Sequence, residues 1–416
     1  AYARAYELGR DEGRGADFLL DTLAQRLMVM CRWFASVARQ PTVDEMAALV
    51  RAGHELVERA GDERTRARFQ IALGFMPFWL RNAGVRLPTQ QDLDDAAASV
   101  AAGLATAEEL DDPALISAAL DAMTSTEQTM DPGRAREGSR RRVAMGHRLP
   151  LDERLDALNM VAWTSALLGD LPDVITASNA AMALVQPGQN PGFAIGAASW
   201  HAYAVALAGR WDQLVAMVEH LRRTWLDAEQ PAASYGLQGF LSGIDWARNR
   251  GEDELLQRWS EVASQIVARF DPAHPVAGLA ALVRLEMDGI VDIIGHPDRR
   301  PDRAHYIEHA IALCADRAQA VPTASIDAII RRAQGSGMRL LEAQARRLRG
   351  VLRRDSDDLA RSLAAFTEAG ATRYAARLRT EFGMARGDDA LLRTGIRELE
   401  AMGELEQLAR ISARVG

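Results

Sequence analysis

The chain has 416 residues, 48% of them apolar and 25% charged, with a formal net charge of −8. That length allows two or three globular domains or one continuous solenoid, and a nucleic acid would meet a predominantly acidic surface. All 49 basic residues are arginine, as GC-rich codon usage favours, which excludes a phosphate-binding loop ending in Gly-Lys-Ser/Thr, a Schiff-base lysine and a pyridoxal attachment within these residues.

Taken in chain order, the opening AYARAYELGR has no methionine and reads as the inside of a helix, so the chain is expected to be an excised region of a longer protein. The first 150 residues carry heptad-like apolar spacing in LLDTLAQRLMVMCRWF, MAALVRAGHELVERAGD and DLDDAAASVAAGLATAEEL, which predicts helices. Thr42 stands three residues before Glu45 as in a capping box, and Asp111-Asp112-Pro113 places a cap and a first-turn proline before another apolar helix. Pro77 is expected to end or kink the helix that carries Phe78 and Trp79. Candidate breaks are DPGRAREGSRRR at 131–142, QPGQNPG at 186–192, read as an inter-repeat loop, and GHPDRRPD at 295–302.

The middle of the chain repeats. Gly169, Gly209 and Gly251 each separate two helical patterns, at spacings of 40 and 42 residues. Seven residues before each glycine sit Ala162, Ala202 and Ile244; five after it Val174, Leu214 and Leu256; eight after it Ala177, Met217 and Trp259; twelve after it Ala181, Leu221 and Ala263. These spacings put one apolar stripe on each helix and leave the glycine to make the turn. A weaker copy surrounds Gly387, with Leu392 and Leu399 in place and Thr380 and Gly395 spoiling two positions. No run alternates with period two, so the predicted fold is all-α: a right-handed solenoid of stacked antiparallel helix pairs, 1–150 as N-terminal repeats continuous with 151–416.

Chemical signals are sparse. Cys31 and Cys314 sit in apolar helical stretches, as buried thiols of a reducing cytoplasm would. No signal peptide opens the chain and no stretch approaches 18 consecutive apolar residues, so no membrane span is expected. His305-Tyr306-Ile307-Glu308-His309 matches the inverted zinc-protease pattern. At 100° per residue, however, Ile307, Ile311 and Cys314 form the apolar stripe, while His305 and His309 lie about 160° away beside Asp302 and Asp316. That predicts a solvated face and leaves a metal-dependent hydrolase as a remote third reading; no cofactor is implied. Arg134, Arg136, Arg140, Arg141, Arg142 and Arg148, and the dense arginines of 331–354, read as solvated faces rather than a phosphate-binding surface.

The units WTSALLGDLPDVITASNAAMALV and HAYAVALAGRWDQLVAMVEHLRRTW resemble degenerate tetratricopeptide repeats, with Ala162, Ala202 and Ala181 at the small-residue positions. The period of about 40 departs from that family's 34 and is similar to the lengthened arrays of large bacterial signalling proteins, the LuxR-type ATPase regulators and multidomain adenylyl cyclases. The resemblance implies a non-catalytic region that binds a protein segment or small effector on its concave face. The residues it assigns there lie ten and six before each glycine: Asn159 and Trp163, Ser199 and Tyr203, Leu241 and Asp245, with Arg248 a turn further on. Trp163 and Tyr203 would form a contact ladder, against the alternative that the tryptophans pack between repeats. Self-association is the competing reading.

Overall fold

A computed structural model describes residues 1–33, 41–127, 131–186, 189–270, 274, 276–296 and 304–415. Among them there is no strand. The helices are α1 (Tyr2–Asp11), α2 (Ala16–Arg32), α3 (Val43–Val57), α4 (Glu63–Gly74), α5 (Met76–Asn82), α6 (Gln90–Glu109), α7 (Pro113–Glu127), α8 (Pro132–Ala144), α9 (Leu151–Leu168), α10 (Leu171–Leu184), α11 (Pro191–Leu207) and α12 (Trp211–Asp227). They continue as α13 (Leu237–Arg250), α14 (Asp253–Val267), α15 (Ala280–Arg284), α16 (Met287–Gly295), α17 (Ala304–Arg317), α18 (Thr323–Gly335), α19 (Arg339–Arg353), α20 (Ser356–Glu368), α21 (Thr372–Arg386), α22 (Asp389–Met402) and α23 (Leu405–Val415). No helix is long and apolar enough to cross a membrane among the described residues. The chain is an all-α array in which sequential helices pack as pairs, divided into two compact units, Ala1–Met130 with Arg134–Ala157, and Asp131–Gly133 with Leu158–Gly416.

In unit 1 the local signals act as the sequence predicts. Thr42 and Glu45 form both halves of the capping box at α3, Asp112 accepts the amides of Ala114 and Leu115 at the start of α7, and Pro77 lies in the first turn of α5 rather than inside α4. Leu20, Leu23, Ala24, Leu27 and Cys31 bury one stripe of α2 completely. Most of the segment at 131–142 is α8, and its Arg142, expected on a solvated face, is fully buried. Its guanidinium reaches Asp121 at 2.7 Å, Asp156 at 2.5 Å and Ser117 at 3.0 Å. Arg32 joins the same cluster through Asp121 at 2.6 Å, Asp156 at 2.8 Å and Glu153. Helices α2, α7, α8 and α9 are thus tied by charges that carry their partners inside. Of the proposed break at 295–302, residues 297–302 lie outside the described residues.

In unit 2 the repeat glycines make the predicted turns. Gly169, Gly209, Gly251 and Gly387 have φ of 76°, 74°, 74° and 66°, the left-handed conformation that closes a helix C-terminus and costs other residues a clash between Cβ and carbonyl. The two positions that break the repeat around Gly387 compensate each other. A Cβ on Gly395 would stand 2.7 Å from Thr380 Cγ2 and 2.8 Å from its backbone nitrogen, so the missing side chain is what admits the threonine and lets α22 approach α21. Trp225, Trp246 and Trp259 are fully buried between helices, while Trp163 and Trp211 are half-buried.

Candidate functional site

The first helices of the pairs, α11, α13, α17, α19 and α21, bury residues on nearly every side. The cause lies ten helices along the chain. Arg339, opening α19, donates its Nε to the Leu168 carbonyl that ends α9, at 3.2 Å. A Cβ on Gly209, after α11, would meet Met402 Sδ at 2.8 Å and Thr372 at 3.9 Å, and Arg250, ending α13, donates to the Met402 carbonyl at 2.5 Å. The array within unit 2 therefore winds so tightly that one superhelical turn rests on the next. Its inner face is a packed seam.

The seam is ionic. Glu381, Arg347, Asp316, Arg377, Glu404, Arg373 and Asp245 form a chain of alternating sign. Arg347 reaches Glu381 Oε2 at 2.8 Å and Asp316 at 2.5 Å; Arg377 reaches Asp316 and Glu404, each at 2.6 Å; Arg373 reaches Glu404 at 2.5 Å and Asp245 at 2.8 Å, and its guanidinium lies 4.9 Å from the Trp246 ring centre. Burial opposes ionisation of Asp316 and Asp245, but the guanidiniums beside them outweigh it and hold both carboxyls below the usual carboxylate range.

One turn away is a second, uncharged layer. Tyr203 donates to Glu308 Oε2 at 2.8 Å, the Gln238 amide nitrogen stands 3.1 Å from His309 Nε2, and Trp200 packs edge-on against His305 at 5.1 Å between ring centres. Burial pushes the Glu308 carboxyl up to about 8, only partly offset by the Tyr203 hydroxyl. Burial likewise pulls His309 down to about 4. Both are neutral near pH 7.

The predicted solvated face of α17 is thereby corrected: His305, Glu308 and His309 are 8%, 4% and 8% exposed. Their partners come from α11 and α13, too distant in sequence for a helical wheel to register. Among the described residues no three His, Cys, Asp or Glu side chains are grouped to hold a metal. The arginines of 331–354 divide similarly, with Arg346 and Arg347 buried rather than solvated. Burial pushes the Cys314 thiol up to about 12, so it stays protonated.

Of the seven residues expected on the concave face, Ser199, Tyr203 and Leu241 are buried and Asn159, Trp163, Asp245 and Arg248 are half-buried. Ser199 is fully buried, donating to the Tyr235 carbonyl at 2.8 Å and accepting from the Gly239 amide at 2.9 Å. Tyr203 and Leu241 are 1% and 4% exposed. Asp245 is held in the seam. An open ladder of Trp163 and Tyr203 is therefore not what these side chains form. Asn159, which donates to the Phe193 carbonyl at 3.3 Å, remains half-buried at the edge together with Trp163 and Arg248. Leu241, Asp245 and Arg248 do share one cavity, with Ile244, Leu282, His309 and Leu313, but its volume is about 10 Å³, room for a single water. In the sequence Arg347 reads as part of a solvated face, and Arg373, Arg377, Glu381 and Glu404 draw no notice. Their one signal is the i, i+4, i+8 spacing of Arg373, Arg377 and Glu381 on α21, which a solvated face would show equally.

No protein-family model and no curated protein matches the sequence. Among solved structures, a circular tandem repeat protein with novel repeat topology and enhanced subunit contact surfaces is similar at 15% identity. The match covers 100% of this chain and 90% of that one with a TM-score of 0.16, a likeness that carries no argument. The all-α paired architecture stands on the helices and their contacts alone.

Proposed function

We propose that this chain is a non-catalytic interaction or effector-sensing region of a bacterial signalling or transcriptional regulator, taking a protein segment or a small effector and relaying it through the winding of unit 2. The observation that carries the reading is the seam. Six buried charges on α17, α19, α21 and the α22–α23 turn alternate in sign, and Arg373 and Arg377 carry the chain across to Asp245 of α13. Such pairs hold only in discrete registers, so a shift between turns is a switch rather than a gradual flexing. The lengthened repeat period supports the regulator context. Asn159, Trp163 and Arg248, half-buried at the edge of the inner face, are the part of the expected groove that a partner can reach.

The test is capture of partners from lysate of the source cells by the parent chain and by a Trp163→Ala, Arg248→Ala variant, followed by hydrogen exchange of the parent with the purified partner. The reading expects a partner held by the parent and lost by the variant, and altered exchange in α13 and α21. A partner held equally by both defeats the edge assignment, and unchanged exchange in those helices defeats the relay. Concentration-dependent association in light scattering with no partner captured points to self-association instead.

A further inference from the structure

An open cleft of about 320 Å³ lies in unit 2, sharing with the contact between turns the residue Arg339. Its lining comes from three helices: Gln334 of α18, Arg339, Glu342, Ala343 and Arg346 of α19, and Arg361 and Ala365 of α20. Two alanines supply the room. Ser362, fully buried, fixes the floor by donating to the Ala343 carbonyl at 2.7 Å. The volume is at the lower end of what small-molecule sites occupy.

The charges in this cleft do not balance. Three guanidiniums face one carboxylate in the lining, on a chain whose net charge is −8. Glu342 is already satisfied, accepting from Arg346 Nε at 2.7 Å and from the Gln334 amide at 3.0 Å. Arg346 is itself buried and turns its other side to Asp358 at 3.0 Å. Two cations remain. Arg339 spends its Nε on the Leu168 carbonyl and holds Glu368 through Nη1 at 2.8 Å, but that carboxylate is 71% exposed, and a pair so solvated exchanges readily for a better anion at the outer guanidinium nitrogens. Arg361 is exposed and makes no ion pair with any described residue.

We propose that this cleft binds a small anion of two or more charges, of the phosphate or polycarboxylate kind, between Arg339 and Arg361. A planar guanidinium presents paired N–H donors that match either group, and two of them on different helices select two charges over one. Gln334 adds a neutral donor at the rim, and Ala343 and Ala365 accept the ligand's short carbon body. The site goes beyond the relay proposed above and stands whether or not the seam transmits anything.

Calorimetric titration of the full chain with inorganic pyrophosphate, with citrate and with neutral glucose tests it. The expected result is saturable one-to-one binding of pyrophosphate, citrate or both, and none of glucose; which anion binds separates the two sources. Arg361→Ala and Arg339→Ala should each weaken it by roughly ten- to a hundredfold, the loss of one charge-assisted contact. Arg353→Ala, on α19 but outside the cleft, should leave it unchanged. The proposal is overturned if neither anion binds saturably, if the two cleft variants bind like the parent, or if Arg353→Ala loses as much as they do. Because Arg361 is exposed, its variant folds and keeps the test decisive even if Arg339→Ala does not.

Discussion

Arg377 is the centre of the seam, and replacing it with methionine should be severely destabilising. The side chain is fully buried and serves Asp316 at 2.6 Å and Glu404 at 2.6 Å, with Asp245 3.7 Å away. Methionine fills much of the volume but removes the charge. The seam then carries four carboxylates against two guanidiniums, and Asp316 and Glu404 each keep one partner in place of two. Breaking a buried pair from one side costs about 3–5 kcal/mol, because the remaining charge is left without compensation. Arg379, on the same helix, is the internal control. It pairs with Glu398 at 2.6 Å with both side chains partly exposed, and its loss should cost at most about 1 kcal/mol. Urea unfolding followed by tryptophan emission is suited to the comparison, since six of the eight tryptophans lie between 163 and 259, in unit 2. Adding Glu404→Gln to Arg377→Met should recover part of the loss by removing a surplus carboxylate. Arg377→Met within about 1 kcal/mol of Arg379→Met would refute the reasoning.

Two further outcomes follow from the same geometry. Glu308 keeps its proton up to about pH 8 in the fold but loses it near pH 4.5 when unfolded, so its contribution is complete below the unfolded value and falls away as pH rises through the folded one. His309 works in the opposite direction, losing stability as pH falls from 6.5 toward its folded value of about 4. Glu308→Gln, which keeps an acceptor for Tyr203, should therefore abolish the fall in urea midpoint between pH 6.5 and 8; an undiminished fall would place the titrating group elsewhere. Gly251→Ala should cost about 1–2 kcal/mol for its left-handed backbone alone, as nothing lies within 4 Å of the added Cβ. Gly209→Ala should cost as much or slightly more, because its Cβ also meets the flexible Met402 side chain, which must shift; a smaller loss would argue against that contact.

The elements were legible because their signals are local. Glycine at the turn, Thr42 with Glu45, and Asp112 before Pro113 each act within four residues, and the structure uses each as read. Even Thr380 and Gly395, which interrupt the pattern, record a close helix approach. The site was not legible, for a physical reason. A helical wheel separates an apolar face from a polar one, but it cannot tell water from a buried partner as the polar face's surroundings. Tyr203 meets Glu308 across 105 residues and Arg250 meets Met402 across 152. Those meetings depend on how tightly the array winds, a sum of small rotations between repeats that no single position encodes. Hence the polar faces that carry Tyr203 and Asp245 were readable while their enclosure was not.

Closure of the inner face of unit 2 into an ionic seam is best checked by native-state hydrogen exchange read helix by helix in the unliganded chain. Helices α11, α13, α17 and α21 should exchange slowest, with the outer helices α12, α14, α20 and α22 exchanging faster, and Arg377→Met should erase the difference in α13, α17 and α21. Inner helices that exchange as fast as the outer ones in the parent would contradict it, showing an open face where the structure places a sealed one.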